Sequence, residues 1–514
     1  MALDPFNLPE QLNITEVFLH AQARSHPDRP AIYFEDEVIT YGRLAERVDR
    51  ATGLFKNLGL ELEQRVLLML PDVPQFAYAW FGAVKAGGAV SAVNPDLKPE
   101  EVAYYLDYTR AKILVCHAST LPSLLEVFSA RTHLKHVLVV GGPGRFQDFD
   151  RELEKAKPDP SFAPTHRDDM AVWLYTSGST GFPKAAVHKQ HDFIFNALTY
   201  ALPLVGYNEN DRCLSVPRLA FGYALGTNLL FPLLAGGATV LFKEKPAPDK
   251  LFELIAKHKP TLLTAVPTAL NGILNAPGAD KVDFSTIRVA LSAGEALPAE
   301  LYLKWKERTK IEVLDGIGSA EMFHIFITNR LGDVKVGSLG RVVEGYEAKV
   351  CDDDGKELPR GDIGTLWVRG DSMALEYWQQ HEKSKATFRG DWCVSADKFY
   401  QDEKGYFFFC GRGDDMLKVG GKWLAPVEVE NELLKHPAVK EAAVVAFKDA
   451  DGLDKPKAFV ALKDGQSKSD ALAEELKAQV RAALAPYKAP RQIVFIDALP
   501  RSDRGKVLKG QLRG

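Results

Sequence analysis

Cysteine is scarce and poorly spaced for either cross-linking or metal chemistry. Cys116, Cys213, Cys351, Cys393 and Cys410 are odd in number and include no C-x-x-C pair. That argues against a disulfide framework or a structural zinc ribbon and points to a reduced, cytoplasmic protein. An excess of charge is also missing: 64 Lys and Arg stand against 68 Asp and Glu, a net charge of -4. The pI near 6.3 gives no reason to expect nucleic acid or an anionic membrane as partner. The opening "MALDPFNLPEQLN" has acidic residues and no apolar h-region, so it does not read as a signal peptide. No internal repeat or low-complexity tract is present. One long uncharged run occurs, Phe221 to Phe242, but Pro232 and the pair Gly236-Gly237 break it. It reads as a buried helix, a turn and a core strand "ATVLF" instead of a membrane span.

At 514 residues the chain exceeds one compact core, so two or more domains are expected. After Thr40, apolar Leu44, Val48, Ala51, Phe55 and Leu58 share one helical face, and Gly59 marks the stop. The runs 65–70, 88–93, 111–116 and 135–140 suit buried parallel strands, with helical segments such as "PEEVAYYLDYT" between them. Similar alternation resumes from Trp173 to about residue 330. From about residue 337, glycine and short strands predict a small β subdomain. Beyond "CGRGDD" the order becomes helix near 426–435, strands "EAAVVAF" and "KAFVAL", helix 468–484 and strand "QIVFID". The fold class is therefore α/β: a large N-terminal domain of layered α/β subdomains with a small β subdomain, residues 1–412, then a small mobile α+β domain, residues 413–514.

The stretch "YTSGSTGFPKAAVH", Tyr175 to His188, is too rich in glycine and hydroxyls for a core element. Gly178 and Gly181 let backbone N–H groups turn toward a ligand. Thr176, Ser177, Ser179 and Thr180 add hydroxyls, and Lys184 adds a point charge, a set suited to polyphosphate. It is not a Walker A loop, because Phe182 and Pro183 separate the glycine from the lysine. Taken alone, a solvated Ser/Gly turn is the plainer reading.

The stretch resembles the phosphate-binding signature of the adenylate-forming superfamily, which includes acyl- and aryl-CoA synthetases, firefly luciferases and peptide-synthetase adenylation domains. Further signatures follow in the family's order. "LSAGEALP" (291–298) is similar to a segment lining the adenine and acyl pocket, implicating Ala293, Gly294 and Glu295. "DGIGSAEM" (315–322) resembles the segment ending in the magnesium-binding glutamate, here Glu321, with Asp315, Gly316, Ile317 and Ser319 beside the nucleotide. "SADKFYQDEKGYFFFCGRGDDMLK" resembles the ribose-binding aspartate, here Asp397, the Arg412 segment and the hinge, here Asp414. "PRSDRGKVLKGQLR" resembles the segment with the catalytic lysine, here Lys506. The resemblance implies Mg2+, with ATP and coenzyme A as co-substrates. Glu321 would hold the metal, the loop the β- and γ-phosphates, and Lys506 the α-phosphate and substrate carboxylate. After rotation of the small domain, Gly420 and Gly421 of "KVGGKW" would flank the pantetheine arm. Charge builds on phosphate oxygens in adenylation, so a metal, a lysine and oriented N–H groups are the effective catalysts. Three positions depart from the family pattern: Ala320 where threonine is frequent, Ile317 where an aromatic is common, and Ala396 in place of glycine.

The acid side rests on "PRLAFGYALG" (217–226) and "GIGSAEMFHIF" (316–326). Peptide-synthetase relatives place an aspartate after the phenylalanine to pair with an α-ammonium; here Gly222 follows Phe221, which disfavours an α-amino acid. Both stretches, with "LMLPD" and "NITEVFLHAQARSHPDRPAI", resemble benzoate-CoA ligases. By that resemblance Phe221, Gly222, Tyr223, Gly318, His324 and Ile325 border an aromatic ring. His324 between Phe323 and Ile325 is either a satisfied core residue or a hydrogen-bonding contact to a ring substituent. The expected reaction is ligation of benzoate or a small ortho-substituted benzoate, 2-aminobenzoate among them, to CoA. A carrier-protein phosphopantetheine is an alternative acceptor, a catalytically idle nucleotide-binding protein an alternative of another class, and a homodimer remains open.

Overall fold

The computed structural model describes residues 3–124, 127–128, 133–142, 144–176, 183–413, 416–419, 422–449, 453–501 and 507–512. The helix expected after Thr40 spans Tyr41–Asn57. The Thr40 hydroxyl accepts from Arg43 N at 3.3 Å, Leu44, Val48, Ala51 and Phe55 are buried, and Gly59 follows with φ +74°. The next helix, Pro74–Lys85, buries every residue except Gln75. A helix apolar on all sides belongs between layers, and this one packs on Tyr41–Asn57 inside the largest core cluster.

Two large sheets form the N-terminal part. One has seven strands in the order Gln147–Asp148, His136–Val140, Ile113–His117, Arg65–Met69, Ala89–Ala92, Met170–Thr176 and Lys184–Lys189. All neighbours are parallel except the last pair. The four runs read as parallel strands therefore are such strands. The stretch "KAAVHK", whose small residues continue the composition of the loop, is a strand paired antiparallel to Met170–Thr176. Its buried Ala185, Ala186, Val187 and His188 give it a continuous inward run.

The second sheet has nine strands: Arg341–Val342, Ile325–Thr328, Val313–Gly318, Val289–Ser292, Leu262–Ala265, Arg212–Ser215, Ala238–Leu241, Pro30–Phe34 and Glu37–Thr40. Its six central strands from Val313–Gly318 to Pro30–Phe34 are parallel. Arg341–Val342, within the region read as the β subdomain, belongs to this sheet, because Val342 and Arg341 pair with Ile327 and Thr328. The run Phe221–Phe242 breaks as expected, into short helical turns from Gly222 to Leu234, a turn at Gly236 with φ +80°, and the strand Ala238–Leu241. Among the described residues, no helix is long and apolar enough to cross a membrane.

An antiparallel five-stranded sheet of Glu347–Cys351, Gly364–Arg369, Phe388–Arg389, Trp392–Gln401 and Phe407–Arg412 is the β subdomain. The last part has helices Pro426–Leu434 and Asp470–Ala483 on a sheet of Val439–Lys448, Asp454–Leu462 and Gln492–Ile496, with its own core around Leu433, Val444, Val460 and Leu476. All five cysteines are buried and unpaired. Burial alone pushes the Cys116 thiol up to about 12, so it behaves as a small apolar side chain.

Candidate functional site

Open parallel sheets place ligand-binding loops beyond the carboxyl ends of their strands, and four of the sequence motifs follow such strand ends. Met170–Thr176 leads into the hydroxyl-rich loop, Val289–Ser292 into Ala293 and Gly294, Val313–Gly318 into Ser319 and Glu321, and Arg212–Ser215 into the segment 217–226. Residues Ser177, Gly178, Ser179, Thr180, Gly181, Asp414, Gly420, Gly421 and Lys506 lie outside the described residues. Of Arg412 only the backbone pairing with Asp397 is described.

The flanks of the loop are held tightly. Thr176 pairs with Lys184 across the two strands. Tyr175 Oη and Ser91 Oγ are 2.5 Å apart on the entry side, and Tyr104 Oη donates to the Pro183 carbonyl at 2.7 Å on the exit side. Tyr104 and Tyr108, one turn apart on the helix Pro99–Thr109, stack at 5.1 Å. Sequence reading attached no role to "PEEVAYYLDYT" beyond its helical period.

Glu321 sits in a short turn whose successive carbonyls are taken by His188 and by the segment 372–374. His188 Nε2 meets the Ala320 carbonyl at 2.6 Å, Ala374 N donates to the Glu321 carbonyl at 2.8 Å, and Ser372 Oγ to the Met322 carbonyl at 2.8 Å. His188 is fully buried, and its Nδ1 lies 2.7 Å from the buried Asp192 Oδ2. The Glu321 side chain accepts a hydrogen bond from Tyr377 Oη. Segment 374–378 reaches the site by adding to the sheet edge: Leu375 N donates to Val187 O at 2.8 Å, Val187 N to Glu376 O at 2.9 Å, and Trp378 N to Ala185 O at 3.0 Å. Lys184 Nζ stands 3.6 Å from the centroid of the Tyr377 ring.

The next residue along is strained. Phe323 has φ +64° and ψ -58°, and His324 N donates to Met322 O at 2.8 Å. That is a γ-turn of the rare, strained kind at a non-glycine residue. Buried Phe193, at 4.3 Å between ring centroids, packs against Phe323 and helps hold it. Beyond it His324 is buried, with Nε2 donating to the Tyr223 carbonyl at 3.0 Å. Burial lowers its pKa to about 3, so the ring is neutral and Nδ1 is an acceptor. Neither His324 Nδ1 nor the Tyr223 hydroxyl has a hydrogen-bond partner among the described residues. The rings of Tyr223, Tyr200 and Phe231 surround the imidazole at 5.2, 5.5 and 4.8 Å. Glycine at 318 is a packing requirement, since a Cβ there would fall 2.4 Å from the His324 carbonyl oxygen. Ile325 pairs with Gly318, and its carbonyl accepts from Asn196 Nδ2 at 2.8 Å. Phe221 precedes the first turn of the helix at Gly222, where a Cβ would meet Leu174 at 3.1 Å and the Phe323 carbonyl at 3.3 Å.

Among the residues expected beside the nucleotide, Asp315 is buried and accepts from Ser292 Oγ at 2.7 Å; burial raises its carboxyl to about 8. Gly294 has φ +88° just after the strand. Glu295 accepts from Thr268 Oγ1 at 2.8 Å and from Thr268 N, and so caps the helix Pro267–Asn275. Gly316 and Ile317 are ladder residues opposite Thr328 and Ile327, and Ile317 packs on the main core. Ser319 leads into the Glu321 turn. Asp397 lies in the strand Trp392–Gln401, and Asp397 N donates to Ser395 Oγ at 3.0 Å. Ala396 is part of the same strand and has no positive φ, so its methyl brings no backbone strain. The structure thus links Lys184 to Glu321 through Tyr377, with His324 three residues beyond Glu321. It adds Tyr377, which lies in none of the sequence motifs, and His188, which ends "YTSGSTGFPKAAVH" without a role in it.

Comparison with known proteins agrees with this geometry. The family described as "AMP-binding enzyme" matches residues 19–378, and "AMP-binding enzyme C-terminal domain" matches residues 428–506. The benzoate–CoA ligase of Thauera aromatica is 40% identical over 509 residues, covering 98% of this chain and 96% of that one. The crystal structure of the anthranilate CoA ligase AuaEII in complex with anthranoyl-AMP has a TM-score of 0.93 at 36% identity, covering 99% of this chain and 98% of that one. A benzoate CoA ligase from Burkholderia xenovorans has a TM-score of 0.89 at 37% identity, covering 98% of this chain and 100% of that one. With strand ends, motif order and full-length similarity in agreement, the chain belongs to the AMP-binding enzyme family of adenylate-forming enzymes.

Proposed function

We propose that this protein is an AMP-forming aryl-CoA ligase acting on benzoate or a small ortho-substituted benzoate such as 2-aminobenzoate. The observation that carries the reading is the turn at Phe323, which sets Glu321 on one side and a neutral, buried His324 on the other. The substrate carboxylate attacks the α-phosphate of ATP, the bond to the β-phosphate oxygen breaks, and pyrophosphate leaves. The CoA thiolate then attacks the acyl carbon, and AMP leaves with its phosphate oxygen. Lys184 and the loop bind the β- and γ-phosphates, Asp397 the ribose, and Lys506 the α-phosphate and carboxylate. The boundary between nucleotide-binding and mobile domains falls at residues 412 and 413, with the hinge at Asp414.

A divalent ion fits the residues present. Among the described residues there is no group of three or more His, Cys, Asp or Glu that could hold a metal. Mg2+ is commonly bound by one or two carboxylates with substrate phosphates and waters completing the shell. Glu321 supplies one carboxylate in that manner, and the ion, when bound, neutralises charge on the phosphates.

The ring substituent is read from His324. Its Nε2–H is committed to the Tyr223 carbonyl, leaving Nδ1 to accept. A buried acceptor without a donor costs about 1–3 kcal/mol, which an aryl N–H offsets on binding. An aniline nitrogen is uncharged and needs no carboxylate beside Gly222. Acid-dependent pyrophosphate release is the test, with benzoate, 2-aminobenzoate, 2-hydroxybenzoate, a medium-chain fatty acid and phenylalanine, each with CoA or a holo-carrier protein. The aryl acids with CoA support turnover, and phenylalanine does not. Absence of acid-dependent pyrophosphate release across the panel would sink the ligase reading, and turnover with the carrier protein alone would move the acceptor assignment.

A further inference from the structure

Tyr377 comes from "LEYWQQ", a stretch outside every motif that marks the nucleotide site, yet it touches two of them. The residue is 2% exposed. Its hydroxyl donates to Glu321 Oε1, and its ring face lies under Lys184 Nζ at 3.6 Å. Its own place is fixed by the edge-strand bonds of segment 374–378, by Tyr377 N donating to Ser384 Oγ at 3.0 Å, and by the Phe388 ring at 5.1 Å. A carboxylate has two oxygens and several acceptor directions. A donor locked on one oxygen selects the rotamer and leaves the other oxygen for a cation. The electron-rich ring face, for its part, gives the ammonium a defined resting place.

We propose that Tyr377 is a positioning residue for nucleotide activation: its hydroxyl orients the Glu321 carboxylate toward a divalent cation–nucleoside triphosphate complex, and its ring sets the approach of Lys184 to the same phosphates. The inference rests on the reading of Glu321 and Lys184 given under the proposed function. It divides the contributions of one side chain. Tyr377→Phe removes the hydroxyl and keeps the ring, whereas Tyr377→Leu removes both.

The test is calorimetric titration of the full chain, without aryl acid, using Mg-ATP and, separately, ATP with the metal chelated. Partners that orient a metal ligand are typically worth about 10- to 100-fold in affinity. Tyr377→Phe is expected to weaken Mg-ATP by that factor while leaving metal-free ATP and the KM for aryl acid unchanged. Tyr377→Leu is expected to weaken both forms of ATP. A double-mutant cycle separates orientation from packing: in a Glu321→Gln background, Tyr377→Phe costs no further Mg-ATP affinity. Equal losses with and without Glu321→Gln, including a general loss of folding, would overturn the proposal. So would an unchanged Mg-ATP affinity in Tyr377→Phe when the wild-type chain binds Mg-ATP. A wild-type chain that binds no Mg-ATP would overturn the nucleotide reading itself, and this inference with it.

Discussion

Asp72, the last residue of "LMLPD", links the seven-stranded sheet to the acyl segment and makes a quantitative prediction possible. It is 4% exposed, and its Oδ1 and Oδ2 lie 3.1 and 3.3 Å from Leu219 N. Burial raises its carboxyl from 3.8 to about 7, against the smaller opposing effects of the Arg218 guanidinium and the Leu219 N–H. The folded pKa is above the unfolded one, so folding takes up a proton. The associated stability is fully present below about pH 4, declines as pH rises toward 7, and is gone above it. At roughly 1.4 kcal/mol per pH unit, the ceiling on this term is about 4 kcal/mol. Asp72→Asn keeps an acceptor oxygen for Leu219 N–H and carries no charge at any pH. Its urea-unfolding midpoint is expected to match the wild type near pH 4 and to exceed it at pH 8, with the same m-value. The two proteins therefore diverge steadily between pH 4 and 7. Parallel pH profiles, with a constant offset between variant and wild type, would refute the assignment of that slope to Asp72.

Two further substitutions probe the site. At Gly226 an added Cβ would lie 2.6 Å from His324 Cδ2, 2.7 Å from Nε2 and 2.8 Å from Phe231 Cε2. Overpacking of this kind costs about 1–3 kcal/mol. Gly226→Ala is thus expected to raise the aryl-acid KM about tenfold or more, with ATP binding in the absence of acid retained; steady-state kinetics would show an unchanged KM if His324 were remote from the acid. Lys506→Ala is expected to depress adenylate formation by about a hundredfold or more, the scale of losing one oriented charge-stabilising group. Thioester formation from supplied adenylate should be far less affected, and equal losses in single-turnover assays of the two steps would contradict the division of labour.

What could be read from the residues depended on whether the signal was local. The helix after Thr40, the four parallel strands and the broken run Phe221–Phe242 carry their pattern within a few neighbouring residues, and each forms where expected. The strand "KAAVHK" did not stand out, because its small alanines resemble the preceding loop in composition and its inward run is short. Arg341–Val342 joined the larger sheet because its partner strand, Ile325–Thr328, turns back antiparallel at the sheet edge, an arrangement with no local signature. Glu321, Lys184 and Asp397 were legible as members of ordered motifs. Tyr377 lies in none of them, and His188 ends "YTSGSTGFPKAAVH" with no role of its own there, because what they touch lies 56 and 132 residues away. A tyrosine in "LEYWQQ" looks like any half-buried aromatic until edge pairing with Lys184–Lys189 brings it to the carboxylate.

On the proposed assignment of His324 to the aryl ring and Glu321 to the nucleotide, the strained turn at Phe323 sets the two groups only three residues apart. A non-glycine residue in this conformation costs about 1–3 kcal/mol, and it persists only when its surroundings over-determine it. Here the Ala320 carbonyl is held by His188 and those of Glu321 and Met322 by the segment Ser372–Ala374, while Phe193, Phe231 and His188 pack around the Phe323 ring. Relaxing the turn would rotate Glu321 and His324 relative to one another, since only two residues separate them. On that assignment, an acid that displaced His324 would push on the backbone that carries Glu321. Selectivity on the aryl ring would then act on kcat of adenylation as well as on binding, because a poorly seated ring would misplace the group proposed to meet the nucleotide. A relaxed variant, Phe323→Gly, separates these effects. Removing the buried ring costs about 3–5 kcal/mol and strain relief returns only about 1–3 kcal/mol, so the variant loses stability on balance. If the strain is functional, it also discriminates less between aryl acids in kcat/KM. A variant that loses stability while keeping its full discrimination would assign the turn to packing alone.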